Sequence, residues 1–397
     1  MIAKMYRLAP VAVAIFAFGA SANAADESAF TFSGFGTVGL TTTNTNDADY
    51  VIVGQPHGAT KKASGEVDSK LGVQGTYKLN STFSGTGQLL TKQNGDGNFK
   101  PELEWAYVKA QVSPTLALRA GRMGAPMFAV SDFRDVGYAN VWLRPPQEVY
   151  GQVPISHIDG VDAVYQMPLG TSNVSAQVFA GQSSSVYEHN DLDVKKLVGV
   201  NLVAELANGV SLRFGHAQGK LTLSHPAVNG LVSLLRTTPY ASVGNQMDAT
   251  DKGVSFTGIG ASYDQNNIIA NFEYTKRRTD SFVPDTTGWY TTFGYRFGKF
   301  APYVTLSQVK QDDSNVVNTV PGGALKTAVD YVLADQVLNQ KTTALGVRWD
   351  AVRNVALKAQ YEHVRPDGNG MFANVKPGSG FGKDAVNVFS VSADFVF

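Results

Sequence analysis

The chain of 397 residues contains no cysteine. Without thiols there is neither a disulfide framework nor a thiolate metal site, so a small stapled scaffold is excluded. Charge of one sign is not in excess either: 33 Lys and Arg balance 33 Asp and Glu, which removes the basic footprint expected of a nucleic-acid-binding protein. Beyond the first twenty residues no apolar run reaches the ~20 residues that a membrane-spanning helix needs. If this protein is in a membrane, it is not there as helices. Histidine is sparse and scattered, at His57, His157, His189, His216, His225 and His363. A zinc site would need these to converge, so neither metal nor cofactor is expected.

Glycine, by contrast, is plentiful. Forty glycines exceed the usual share of roughly 7%, and they are spread along the chain, which suits many tight turns and closely packed strands. The N-terminus carries Lys4 and Arg7, the apolar run LAPVAVAIFAFGA (8–20), and then SANA with Ala22 and Ala24 as small residues before a cut. This pattern predicts a signal peptide over 1–24, cleaved after Ala24. An N-terminal membrane anchor is the alternative, and its apolar run is short for one.

Read at period two, residues 25–397 break into sixteen amphipathic segments, the first at 30–40 and the last at 384–397. Tight joins such as LNS (79–81), PLGT (168–171), ANG (207–209), DQNN (264–267) and VRN (352–354) alternate with longer ones, among them 183–194. The exceptions are 93–98 and 279–286, which are short where a long join is due. Such alternation places every second connection at the same end of the sheet, as in an up-and-down meander. The fold class predicted is all-β: a transmembrane antiparallel barrel of about 16 strands.

The parity of charge decides which face meets water. In EVDSKLGVQGTYKL (66–79), Val67, Leu71, Val73, Tyr77 and Leu79 oppose Glu66, Asp68, Lys70, Gln74 and Lys78. Near 354–364, Val355, Leu357, Ala359 and Tyr361 oppose Lys358, Gln360 and Glu362. A lysine or arginine on the lipid face costs about 2 to 4 kcal/mol at the midplane, so the charged parity must line a wet lumen or form the outer surface of a sandwich. Asp68, Lys70, Glu102, Glu104, Arg119, Arg122, Arg213, Arg348, Lys358 and Glu362 are the candidate channel-wall charges. Arg119 and Arg122 differ in parity, so both can face the lumen only if the register changes, for which Gly121 is a plausible place. Aromatics near strand ends, among them Tyr77, Tyr165, Trp289, Tyr295, Phe297, Trp349 and Tyr361, fit interfacial girdles.

The longest connection, 124–159, is rich in apolar residues that a solvated loop would not need. An internal plug would bury Phe128, Phe133, Trp142 and Tyr150 against the inner wall. It would present Asp132, Arg134, Asp135 and Arg144 to the opening. An outer lid or partner-binding loop is the alternative.

FTFSGFGTVGL (30–40), WAYVKAQVSPTLALRAGR (105–122) running into that long loop, and the terminal strand NVFSVSADFVF (387–397) together resemble the Gram-negative general porins. What the resemblance implies is a homotrimer of water-filled barrels in the outer membrane of a Gram-negative bacterium, bounded by outer-membrane lipid and passing small hydrophilic solutes. The third loop would fold into the lumen as a constriction, its acids facing basic wall residues. Arg122 matches the arginine ending strand five, and Asp132 and Asp135 match loop acids loosely. Phe389, Val391, Phe395 and Phe397 match the terminal pattern read by the barrel-assembly machinery. Two departures stand out: the loop has no PEFGG stretch, and the second loop, QNGDGN (93–98), is shorter than the one that latches subunits in the family. WLRPPQEVY (142–150) has no role assigned by the resemblance.

The function expected is passive diffusion through a porin-like channel. A substrate-specific channel, an adhesin or receptor using the loops 41–65, 221–251 and 312–339, and a barrel hydrolase are the alternatives. Ser156, His157 and Asp159 form the nearest thing to a catalytic cluster, but triads normally draw on separated positions, so no enzyme activity is expected. Asn94, Asp96 and Asn98 alternate like calcium ligands, and their intervening glycines equally suit a hairpin.

Overall fold

The computed structural model describes residues 29–312 and 314–397; the expected signal peptide lies outside the described residues. Sixteen strands, numbered here in chain order, close into one antiparallel barrel in which sequence neighbours pair and the last strand returns to the first. They run β1 (Phe30–Thr43), β2 (Lys70–Lys78), β3 (Phe83–Lys92), β4 (Glu102–Ser113), β5 (Leu116–Gly124) and β6 (His157–Leu169). Next come β7 (Ser172–Tyr187), β8 (Asn190–Glu205), β9 (Val210–Ser224), β10 (Lys252–Gln265) and β11 (Ile268–Thr279). The circuit ends with β12 (Thr286–Tyr295), β13 (Phe300–Gln311), β14 (Gln340–Val352), β15 (Val355–Pro366) and β16 (Val386–Val396).

The faces are the reverse of a soluble protein's. On β15, Lys358, Gln360 and Glu362 are buried inside while Leu357 and Tyr361 are exposed outside. The same holds on β16, where Ser390, Ser392 and Asp394 are buried and Phe389 and Val391 are exposed. A sandwich would put its apolar parity in a dry centre; here that parity faces outward, which only lipid can cover. Exposed rings gather toward the turn end, with Phe300 stacked on Trp349 at 5.7 Å and Tyr295 against Phe297 at 4.7 Å. Closure leaves no unpaired sheet edge.

The closing seam shows why the last strand alternates as it does. The backbone N–H of Phe397 donates to the Gly34 carbonyl at 2.9 Å and its carbonyl accepts from Gly34 N–H at 2.8 Å. On the outer face the Phe397 and Phe395 rings lie over Gly34 and Gly36, where a Cβ would overlap them. Phe32 flanks Phe397 at 6.2 Å.

Tight turns occupy one end. Asn266 and Asn267, both left-handed (φ 53° and 67°), join β10 to β11 with the twist that two-residue hairpins favour. One expected loop is in fact strand: residues 183–194 continue β7 and β8 to a two-residue turn at Glu188 and His189. The alternation breaks there because of a register shift between Gly181 and Ser183, with Lys196 left-handed opposite it. A single inserted residue moves every side chain beyond it to the other face.

The other end carries the long connections. Helices α1 (Pro226–Arg236), α2 (Ala241–Met247) and α3 (Gly323–Asp335) pack there around Val232, Leu235, Val243 and Met247. A second cluster, with Tyr50, Phe372 and Val388, ties the first long loop to the last through a two-residue ladder, Tyr50 with Phe372 and Asp49 with Ala373. The short second loop folds back on its own barrel: Gly95 O accepts from His189 N–H at 2.8 Å.

Candidate functional site

Between β5 and β6 the chain turns into the barrel and crosses it as a strap. Short helical turns at Ser131–Phe133, Gly137–Ala139 and Gln147–Tyr150 let it double back, and Pro146 opens the last of them. Its apolar side chains dock on the inner wall. Phe128 packs against Tyr150 at 4.6 Å and against Phe256 of β10 at 5.2 Å, and Trp142 meets Tyr290 of β12 edge-on at 5.7 Å. Met127, Val149 and Ile155 are buried in the same cluster.

Polar pins fix the rest. Arg144 is 3% exposed and reaches the far wall: Nε and Nη2 each donate to Asp68 at 2.8 Å, Nη1 pairs with Glu362, and Nη2 also donates to Ser390 Oγ at 2.6 Å. Tyr50 OH donates to Glu362 at 3.1 Å and its ring lies 5.1 Å from the guanidinium. Glu148 accepts from Ser307 and Gln340, each at 2.8 Å, and from Thr342. Glu273 accepts from Tyr150 and Tyr290 hydroxyls and from Ala129 N–H.

Wall cations hold the strap's backbone. Lys358 Nζ donates to the carbonyls of Gly137 and Trp142 at 2.7 and 2.6 Å, Arg348 to those of Tyr138 and Asn140 at 2.6 and 3.0 Å, and Arg213 to that of Pro126 at 2.7 Å. Unpaired carbonyls inside a barrel are costly, and a cation satisfies them with a charge-assisted bond. Asp135 bridges Lys92 at 2.9 Å and Lys70 at 3.2 Å. Burial alone would raise its carboxyl, but Lys92, Lys70 and Arg134 more than offset that and hold it well below the usual carboxylate range. Asp68 shows the same balance, with burial opposed by Arg144 and the net shift downward.

The comparisons agree with this geometry. The family model for Gram-negative porins matches residues 11–394. The chain belongs to the Gram-negative porin family. No curated protein matches it. Among solved structures, OmpF of Salmonella typhi in complex with daunomycin is 14% identical over 93% of this chain and 97% of that chain, with a TM-score of 0.59. An anion-selective porin from Comamonas acidovorans is 13% identical over 93% and 99%, with a TM-score of 0.54. The trimer form of OmpT from Vibrio cholerae is 15% identical over 93% and 100%, also with a TM-score of 0.54. At these identities the likeness speaks for the fold; the family match makes this chain an outer-membrane porin.

Within the porin, several expected sites need correction. No register change occurs at Gly121: β5 pairs evenly with β6 through Arg119↔Asp162, Gly121↔Gly160 and Arg122↔Asp159. Arg119 therefore faces the lumen and pairs with Asp162, while Arg122 points outward and grips Asp159 with two bonds of 2.7 Å. Arg122 is not a channel-wall residue. A bulge between Gln88 and Leu89 leaves Glu104 unpaired in the ladder, with its side chain buried. Glu102 sits exposed at the loop end, accepting from Asn94 at 2.8 Å. Arg144 is a buried anchor and does not present itself to the opening. Asp135 is likewise engaged, while Asp132 is exposed and Arg134 half-buried.

The other wall charges, Asp68, Lys70, Arg213, Arg348, Lys358 and Glu362, do point inward, yet each spends polar atoms on the strap or on its anchor, Lys70 through Asp135. Phe133 is half-buried, unlike its three aromatic companions. Ser156 Oγ lies 3.3 Å from His157 Nδ1, but Asp159 is committed to Arg122, and among the described residues His157 Nε2 has no hydrogen-bond partner. The residues that sequence reasoning missed are Glu148 and Glu273; of the 142–150 stretch it had singled out only Trp142, Arg144 and Tyr150. A glutamate following RPP with buried neighbours was the available signal.

Proposed function

We propose that this porin conducts small hydrophilic solutes passively along the arc of wall formed by β2–β7, on the side of the strap that carries Asp132. The observation that carries this is the distribution of pins: Arg144, Glu148, Lys358, Arg348 and Arg213 tie the strap to β9, β13–β16 and the start of β2, leaving Asp132 exposed opposite Arg119 and Asp162. Near this passage stand the bases Lys70, Lys92, Lys109, Arg119 and Arg134 and the acids Asp132, Asp135 and Asp162. Five bases against three acids bias the passage toward anions, since charges act on a passing ion over a Debye length of about 8 Å. Single-channel recording in a planar bilayer under a potassium chloride gradient tests it: steady ohmic conductance with a reversal potential on the chloride side is expected, and absence of conductance or cation preference overturns it.

The proposed assembly is a homotrimer. Gly75, Gly85 and Gly87 on the outer face of β2 and β3 leave that face low, and a Cβ at Gly85 or Gly87 would meet nothing within 4 Å. A detergent-corrected mass near that of one chain would sink this. The terminal strand is proposed to serve as the assembly signal; deletion of Phe397 is expected to slow appearance of the folded barrel, and an unchanged rate counts against it. Catalysis is not part of the proposed function.

A further inference from the structure

Inward positions near the loop end should be polar if they only border water, yet β8–β10 place Leu192, Val194, Leu221 and Phe256 there. They line a cavity of about 320 Å³ between the wall, the strap's Met127 and Ile155, and a roof that includes Met371 and Phe372. Packing of the strap explains Phe256, which touches Phe128. Leu192 and Leu221 remain as cavity wall.

Among the described residues one cation lines this apolar space. Arg277, 9% exposed, donates Nη1 to Gln152 O at 2.7 Å and Nη2 to Pro284 O at 2.9 Å, while its Nε has no partner. Among the described residues no carboxylate lies within ion-pair distance of it. Glu188 and Asp335 also line the cavity. Asp335 is engaged elsewhere, accepting from Asn369 at 2.8 Å, and Glu188 belongs to the turn that joins β7 to β8. Asp285, the acid whose charge acts on Arg277, is itself paired with Arg278 at 2.8 Å; a buried guanidinium with no carboxylate in contact favours an anion, and the aliphatic wall favours an apolar body.

We propose that this vestibule binds small monocarboxylates with an aromatic or aliphatic body, the body against Leu192, Val194 and Leu221 and the carboxylate on Arg277. An inorganic anion gains nothing from the aliphatic wall, and a neutral hydrocarbon gains nothing from the arginine. The inference deepens the porin reading, since a solute held at the mouth is delivered to the passage, but binding is measurable without conduction.

The experiment is calorimetric titration of the full-length barrel in detergent with 3-phenylpropionate, 3-phenylpropanamide and propionate. The acid is expected to bind saturably, with the amide and propionate each at least tenfold weaker. Arg277→Gln should abolish the preference for acid over amide. Leu221→Asn should weaken both phenyl compounds and keep that preference, so the test survives if the arginine variant fails to fold. No saturable binding of 3-phenylpropionate, or equal affinity for the amide, overturns the proposal. Channels that conduct in bilayers but do not bind the acid would sink this inference alone, whereas binding without conductance would sink the porin reading instead.

Discussion

Arg144 and Asp68 stand 76 residues apart in the chain and meet through two hydrogen bonds of 2.8 Å, joining the strap to the segment just ahead of β2. The pair is nearly dry, and Glu362 completes it on the other side. Removing one partner of such a pair strands the remaining charges, at a cost of about 3 to 5 kcal/mol. Arg144→Gln is therefore expected to release the strap's far limb. Larger and noisier single-channel conductance would show it, and the double variant Arg144→Gln with Asp68→Asn should be less noisy than the single. Conductance identical to the parent's would mean that other pins suffice.

Asp135 neutralises two lysines at once. In Asp135→Asn, Lys70 and Lys92 lose their shared partner, so chloride preference should rise and the reversal potential move further to the chloride side. Replacing both lysines with glutamine should move it the opposite way. The sign of the pH dependence follows from the depressed carboxyl: its charge persists above the ordinary carboxylate value near 3.9 and is lost only as pH falls through the lower folded value. The difference between parent and Asp135→Asn is thus expected to stay constant from about pH 7 down to pH 5. A difference that vanishes over that interval contradicts the assignment.

Most of the wall was legible because each strand separates two solvents, and every residue on it reports a side. Lys358 inside and Leu357 outside are read from parity alone. Legibility failed where that contrast lapsed. Leu192 and Val194 point inward to an apolar cavity, and the shift at Gly181 and Ser183 reverses the phase, so 183–194 reads as loop. Arg122 read as lumenal because charge was taken to mean water, whereas it meets Asp159 on the outer face. The strap's partners could not be seen at all: Glu148 is satisfied by Ser307, Gln340 and Thr342, which lie more than 150 residues away on two strands.

Gly346 shows how the wall and the strap are mechanically one piece. Tyr303, Gly346 and Gln360 stand in one row across β13, β14 and β15. The Tyr303 ring lies over Gly346, where a Cβ would overlap its Cζ and hydroxyl, and its hydroxyl reaches Gln360 and accepts from Leu143 N–H of the strap at 3.3 Å. The ring is 5% exposed, so it has little room to yield. Gly346→Ala should force it aside, with an overpacking cost of about 1 to 3 kcal/mol and loss of the Leu143 contact. Tyr303→Phe keeps the ring and removes only the hydroxyl, isolating the strap's share. Expected are a lower urea midpoint for Gly346→Ala than for Tyr303→Phe, and added conductance noise in both. If Gly346→Ala unfolds at the parent midpoint with quiet channels, the glycine is not what admits the ring, and the coupling between wall and strap runs through the other pins instead.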